Sequence, residues 1–264
     1  MTRAKGSSAA ECASAPGRAL SPGEQADDGD GDRARGDAPA RRSPAASPAR
    51  GAHERMQTLG EEIANSLSHG FGLLAAIAVM PILLIANIRH GTVAGVVGAG
   101  VFSTTMVLLY FASTLYHALP AGRAKRILVK VDHGAIYLFI AGSYTPFALG
   151  VLEGAWGWTL FGLVWAFAVA GVTLKTIDRL RHPWVSTGLY LLMGWLVLIV
   201  IVPLWQRMPA AGLLLLVAGG VAYTAGVGFF ATDSRLKFGH FVWHLFVVAG
   251  SACHFLAVLW YAQG

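Results

Sequence analysis

The stretch HFVWHLFVVAGSACHFLAVLWY, residues 240–261, decides the fold. A helix crossing a bilayer needs roughly 20 mostly apolar residues, and this run supplies them without one Asp, Glu, Lys or Arg. It nevertheless holds three imidazoles, His240, His244 and His254. Working back along the chain, six more runs of the same kind appear at about 67–88, 93–118, 131–150, 156–175, 184–205 and 210–231. The expected fold is all-α, a polytopic bundle of seven transmembrane helices.

The connections sort by charge. Arg123, Lys125, Arg126 and Lys130 lie between the second and third spans, Lys175, Arg179 and Arg181 between the fourth and fifth, and Arg235 and Lys237 between the sixth and seventh. The alternate connections carry only Arg89, no basic residue, and Arg207. Lys and Arg accumulate in cytoplasmic loops, so the N-terminus is expected inside and the C-terminus outside. Trp156, Trp158, Trp205, Trp260 and Tyr261 fall at the expected outer ends, where amphipathic rings settle at the interface.

Composition agrees. Of 264 residues, 55% are hydrophobic and 13% charged, against about 25% charged in soluble domains, and the mean hydropathy is +0.56. The formal net charge of +6 would suggest nucleic acid in a soluble chain, but here the excess sits between spans, so the expected partner is membrane lipid and no nucleic acid. Cys12 and Cys253 stand in unlike surroundings and suggest no disulfide framework. Residues 1–56 are rich in Ala, Pro, Gly, Ser, Arg and Asp, with charges that nearly cancel. Such a tail cannot bury enough apolar surface to order itself, and it contains no apolar run of signal-peptide length. The chain therefore divides into a disordered tail, 1–56, and a membrane domain, 57–264, expected in the inner membrane as a multi-pass protein.

Ionisable residues inside spans are costly and default to functional candidates. STLYH puts Ser113 and His117 at the end of span two, KVDHG puts Asp132 at the start of span three, and GHFVWH puts His240 and His244 at the start of span seven. EEIANSLSHG puts Glu61, Glu62, Asn65 and His69 at the entry to span one. On the expected topology all four clusters meet the cytoplasmic leaflet. His240 and His244, at i and i+4, share a helix face; with His117 they make a three-histidine metal site, the pattern of zinc centres that keep a fourth position for water. Asp132 is the natural partner of that water or of an imidazole N–H. Ser113, one turn from His117 on the same face, can hydrogen-bond the site or a substrate carbonyl.

Each feature has a plainer reading. The histidine pair can bond backbone or headgroups. Asp132 can cap a helix dipole or pair with Lys130. Ser113 can serve helix packing, and Asn65 and His69 can close the first turn of span one. His254 lies about 15 Å along the axis from His244, too far to share its metal, and reads as a buried or cavity-lining histidine. His133 points about 100° from Asp132 and is left out of the ligand set. His53, His90 and His182 lie outside the spans and read as solvated. AGSYTPF at 141–147, and the Gly and Ala of spans two and six, read as kinked or close helix packing.

EEIANSLSHG, STLYHAL, DHGAIYLFIAGSYTPF and HFVWHLFVVAGSACHF closely resemble the hemolysin III family of bacterial membrane proteins over residues 58–264. That family is grouped with the progestin and adipoQ receptors and, more distantly, the alkaline ceramidases. The resemblance implies seven helices with the N-terminus inside. It also implies one zinc ion held by His117, His240 and His244, with Asp132 beside the metal-bound water. Ser113 matches a serine that recurs in the superfamily. Glu62, Asn65 and His69 match an N-terminal motif of less defined role, and His133 stands where many relatives have tyrosine. The function this implies is a metal-dependent hydrolase acting on a lipid amide or ester, with Asp132 and Ser113 as its catalytic pair. The alternative is a membrane effector without turnover, a cytolytic pore or a receptor-like regulator, in which zinc is structural.

Overall fold

Residues 57–180 and 182–263 are described by the computed structural model, and the tail assigned to 1–56 lies outside them. The first helix, α1 (Leu59–His90), starts where a capping box demands it. The Thr58 hydroxyl accepts the Glu61 N–H and the Glu61 carboxylate accepts the Thr58 N–H at 2.9 Å, which satisfies donors that a helix start leaves orphaned. The other oxygen of Glu61 accepts the backbone N–H of Phe238 at 2.9 Å. Phe238 sits in the left-handed region, φ 58°, and is the residue from which the last helix starts. One carboxylate therefore begins α1 and fixes the turn into the seventh span.

Every regular element among the described residues is helical. After α1 come α2 (Val93–Ala118) and α3 (Arg123–Pro146), which runs on through a π-helical turn, Phe147–Leu152. Then follow α4 (Gly154–Thr176), α5 (Pro183–Gly194), a 3-10 stretch (Leu196–Val200), α6 (Ile201–Arg207), α7 (Ala210–Thr232) and α8 (Gly239–Tyr261). Seven runs are long and apolar enough to cross a membrane, the fifth being Pro183–Arg207. Spans one and three begin earlier than expected, at Leu59 and Arg123. Hydropathy marks the part that lipid must surround, while the helix continues into polar turns. The basic cluster Arg123–Lys130 is thus helical, not a loop. α1 packs against both α2 and α8, which brings residues from the two ends of the domain together.

Small residues set the spacing between helices. A Cβ at Gly98 of α2 would stand 2.6 Å from the Pro146 Cα, and one at Gly226 of α7 would stand 2.7 Å from the Phe246 Cβ. The close packing expected of AGSYTPF and of spans two and six is present, and Pro146 marks where α3 becomes π-helical. The fifth span breaks for a different reason. The Tyr144 hydroxyl donates to the Gly194 carbonyl at 2.6 Å and accepts the Val197 N–H at 3.0 Å. A side chain from α3 thereby enters the hydrogen-bond ladder between α5 and α6. Tyr144→Phe leaves both backbone groups unpaired, and the expected cost is about 1–3 kcal/mol, read as a lowered midpoint in detergent unfolding.

The rims match the expected belts. Trp156 and Trp158 open α4, Trp205 lies near the end of α6, and Trp260 closes α8, all exposed. Gln263 O accepts the Thr92 N–H at 2.9 Å, so the C-terminus meets the α1–α2 turn at this end of the bundle. Cys253 is a free thiol.

Candidate metal centre

The opposite end holds the histidines. His240 and His244 lie one turn apart at the start of α8, and His117 ends α2. Each offers one ligand atom, and the three atoms lie within 4.8 Å of one another. Each Nδ1 is already engaged. His117 Nδ1 meets Glu62 Oε2 at 2.7 Å, His240 Nδ1 meets Asp233 Oδ2 at 3.0 Å, and His244 Nδ1 meets the Asn65 carbonyl at 3.2 Å and Ser68 Oγ at 3.1 Å. Carboxylates and carbonyls only accept, so they hold the proton on Nδ1 and leave Nε2 a lone pair. His117 Nε2 is buried without a hydrogen-bond partner among the described residues. Its lone pair is therefore free to be donated to a metal ion. Three imidazole nitrogens backed by oxygen acceptors suit zinc, copper, iron or nickel better than magnesium or calcium. The residues fit a metal ion of that class.

The α1 motif is the supporting layer of this centre. Glu61, Asn65, Ser68 and His69 recur at three- and four-residue steps along one buried face. Glu62 bridges His117 and Lys125, whose ammonium lies 2.7 Å from its second oxygen. The Ser68 hydroxyl donates to the Asn65 carbonyl at 2.8 Å, completing the cradle of His244. His69 stacks on His244 with centroids 3.5 Å apart and planes 9° from parallel, and its Nδ1 lies 2.7 Å from Ser113 Oγ. Asn65 and His69 therefore do not close the first turn; Thr58 and Glu61 do. Glu62→Gln keeps the shape of the group but loses the charge that orients His117. Its expected effect is about 10–100-fold weaker metal binding, read by competition with a chelator.

Asp132 is buried and does not join the ligand set. It shares the cavity wall with Ser113 and His240. Lys130, its other expected partner, bonds Asp178 at 2.6 Å instead. Asp132, Ser113, His240 and His244 line one end of a cavity of about 250 Å³, which reaches Leu152 and Leu204 near the tryptophan end. Its intervening walls include Leu109, Ile140, Leu160 and Leu213. His254 lines the cavity too; it does not join the ligand set, and its Nε2 lies 3.4 Å from the Leu216 carbonyl. His133 is outside the ligand set, yet it lines the same cavity. His90 and His182 are exposed, and His53 lies outside the described residues.

The chain matches the family described as "Haemolysin-III related" over residues 57–255. It is 42% identical over 205 residues to "Hemolysin-3" of Bacillus cereus, covering 78% of this chain and 93% of that one. To the "Hemolysin-3 homolog" of Bacillus subtilis it is 42% identical over 206 residues, 78% and 96% covered. It is also 29% identical over 223 residues to the human "Monocyte to macrophage differentiation factor", 80% and 88% covered. No solved structure matches.

Proposed function

Since this chain belongs to the haemolysin-III related family of multi-pass membrane proteins, we propose that it is a zinc-dependent hydrolase acting on a lipid amide or ester. One observation carries the reading: of three clustered histidines, His240 and His244 line a mostly apolar cavity together with the buried Asp132 carboxylate. Zinc held by His117, His240 and His244 would supply Lewis acidity and make hydroxide available near neutral pH. Asp132 is the proton acceptor, since it lies outside the ligand set and has a carboxylate to spare. Ser113 holds it. If His69 Nδ1–H donates to Ser113 Oγ, the Ser113 hydroxyl is free to donate toward Asp132, its neighbour on the cavity wall. The apolar walls receive a hydrocarbon chain and keep water from it. The basic residues Arg123, Lys125, Arg179 and Lys237 flank the histidine end, which supports a cytoplasmic site and an N-terminus inside.

The test is product release. Zinc-loaded protein in neutral detergent is incubated with N-acyl amides and glycerol esters, and free fatty acid is measured by mass spectrometry. Release that a chelator abolishes and zinc restores supports the reading. A protein that binds zinc and releases nothing from either class sinks it. The name hemolysin carried by the Bacillus relatives favours one second reading, a cytolytic effector with structural metal. It predicts ion leak from vesicles that persists after all three histidines are replaced.

A further inference from the structure

Where α3, α4 and α5 meet, a second group of polar side chains reaches the same cavity. Ser186 is 3% exposed and lines the cavity, and its hydroxyl has no hydrogen-bond partner among the described residues. The buried Tyr137 hydroxyl has no partner at hydrogen-bond distance among the described residues either, and its polar neighbours are Ser186 and Tyr190. The Tyr190 ring tilts against Tyr137 with centroids 4.5 Å apart, and its hydroxyl donates to the His133 carbonyl at 3.0 Å. Lys175, half-buried near the end of α4, lines the cavity too. Its ammonium makes no hydrogen bond among the described residues, and Asp178, the carboxylate that acts on it, is already bonded to Lys130.

A lysine at a helix end ordinarily snorkels to the interface and needs no explanation. Lys175 instead shares a cavity wall with an orphaned hydroxyl and the His133 ring. Ammonium and hydroxyls are donors looking for acceptors. Leaving them unpaired inside a membrane domain is costly, so the complementary ligand carries negative charge on several oxygens. Asp132, the neighbouring carboxylate on α3, lies about 100° round the helix from His133.

We propose that Lys175, Ser186 and His133 form a phosphate subsite that receives the headgroup of a membrane lipid whose chain lies in the cavity. This rests on the cavity holding lipid, as in the hydrolase reading, but not on turnover. The test uses the full chain, zinc-loaded, in neutral detergent. Binding is read from the ligand-dependent rise in unfolding temperature with the ether-linked analogue of lysophosphatidic acid, with monoalkylglycerol of the same chain length, neither of which has an ester or amide to hydrolyse, and with inorganic phosphate. Wild type is expected to bind the phospholipid about tenfold more tightly than its neutral analogue, the scale of one charged hydrogen bond. Lys175→Met should erase that preference, Lys175→Arg should keep it, and Ser186→Ala should reduce it. Equal binding of the two lipids by wild type overturns the proposal, as does an undiminished preference in folded Lys175→Met. Inorganic phosphate competing as well as the lipid would overturn the headgroup as the source. Asp132→Asn should retain the preference whether or not the protein proves to be a hydrolase, so the two readings fail separately.

Discussion

Purified wild-type protein is expected to carry about one zinc per chain, and His117→Ala, His240→Ala and His244→Ala to carry none after gel filtration. Each variant removes one of three nitrogens that meet within 4.8 Å, and losing a ligand weakens a site by more than the 10–100-fold that a supporting group costs. The three substitutions do not cost the fold equally. His244 is fully buried, stacked on His69 and bonded to the Asn65 carbonyl. Its truncation opens a cavity, so its metal loss could be blamed on misfolding. His240 is the cleaner probe, since its side chain keeps 15% of its surface and its truncation gives up the Asp233 hydrogen bond and ring contacts rather than a fully buried stack. Because metal binds the folded state, a chelator should lower the unfolding temperature of wild type and leave that of His240→Ala unmoved. A well-folded wild type without metal would remove the centre altogether.

The spans were legible because lipid imposes a coarse rule: about 20 apolar residues per crossing. The helix starts were not, because the turns holding Glu61 and Arg123 are polar and are kept helical by caps and partners that hydropathy does not see. The clustering of the three histidines was readable from an i, i+4 pair plus a third imidazole at the same depth. Their supports were only half readable. EEIANSLSHG stood at the right leaflet, yet Asn65 holds His244 through its backbone carbonyl, which no side-chain pattern announces. The break in the fifth span depends on Tyr144, fifty residues before Gly194, a long-range contact with no local signature. Lys175 read only as an orientation charge. Its place on the cavity wall follows from the packing of α3, α4 and α5, which the sequence does not display.

Asp132→Asn should lower turnover about 10²–10⁴-fold, the scale of a positioned general base, with zinc content and unfolding temperature close to wild type. Asp132 lies outside the three-histidine cluster. A ligand would take the metal with it; a base leaves the metal and stops the proton transfer. Asparagine has nearly the same shape and still reaches Ser113, so packing is preserved and only charge and basicity are lost. Ser113→Ala keeps the carboxylate but removes the hydroxyl between it and His69. It should therefore cost less than Asp132→Asn, and the double variant should be no worse than Asp132→Asn alone, since a positioning group has no effect once the group it positions is gone. Additive losses would instead mean that Ser113 contacts the substrate itself. Should Asp132→Asn lose zinc while keeping residual turnover in proportion to the metal left, Asp132 serves the centre's stability, and the proton acceptor must be sought elsewhere on the cavity wall.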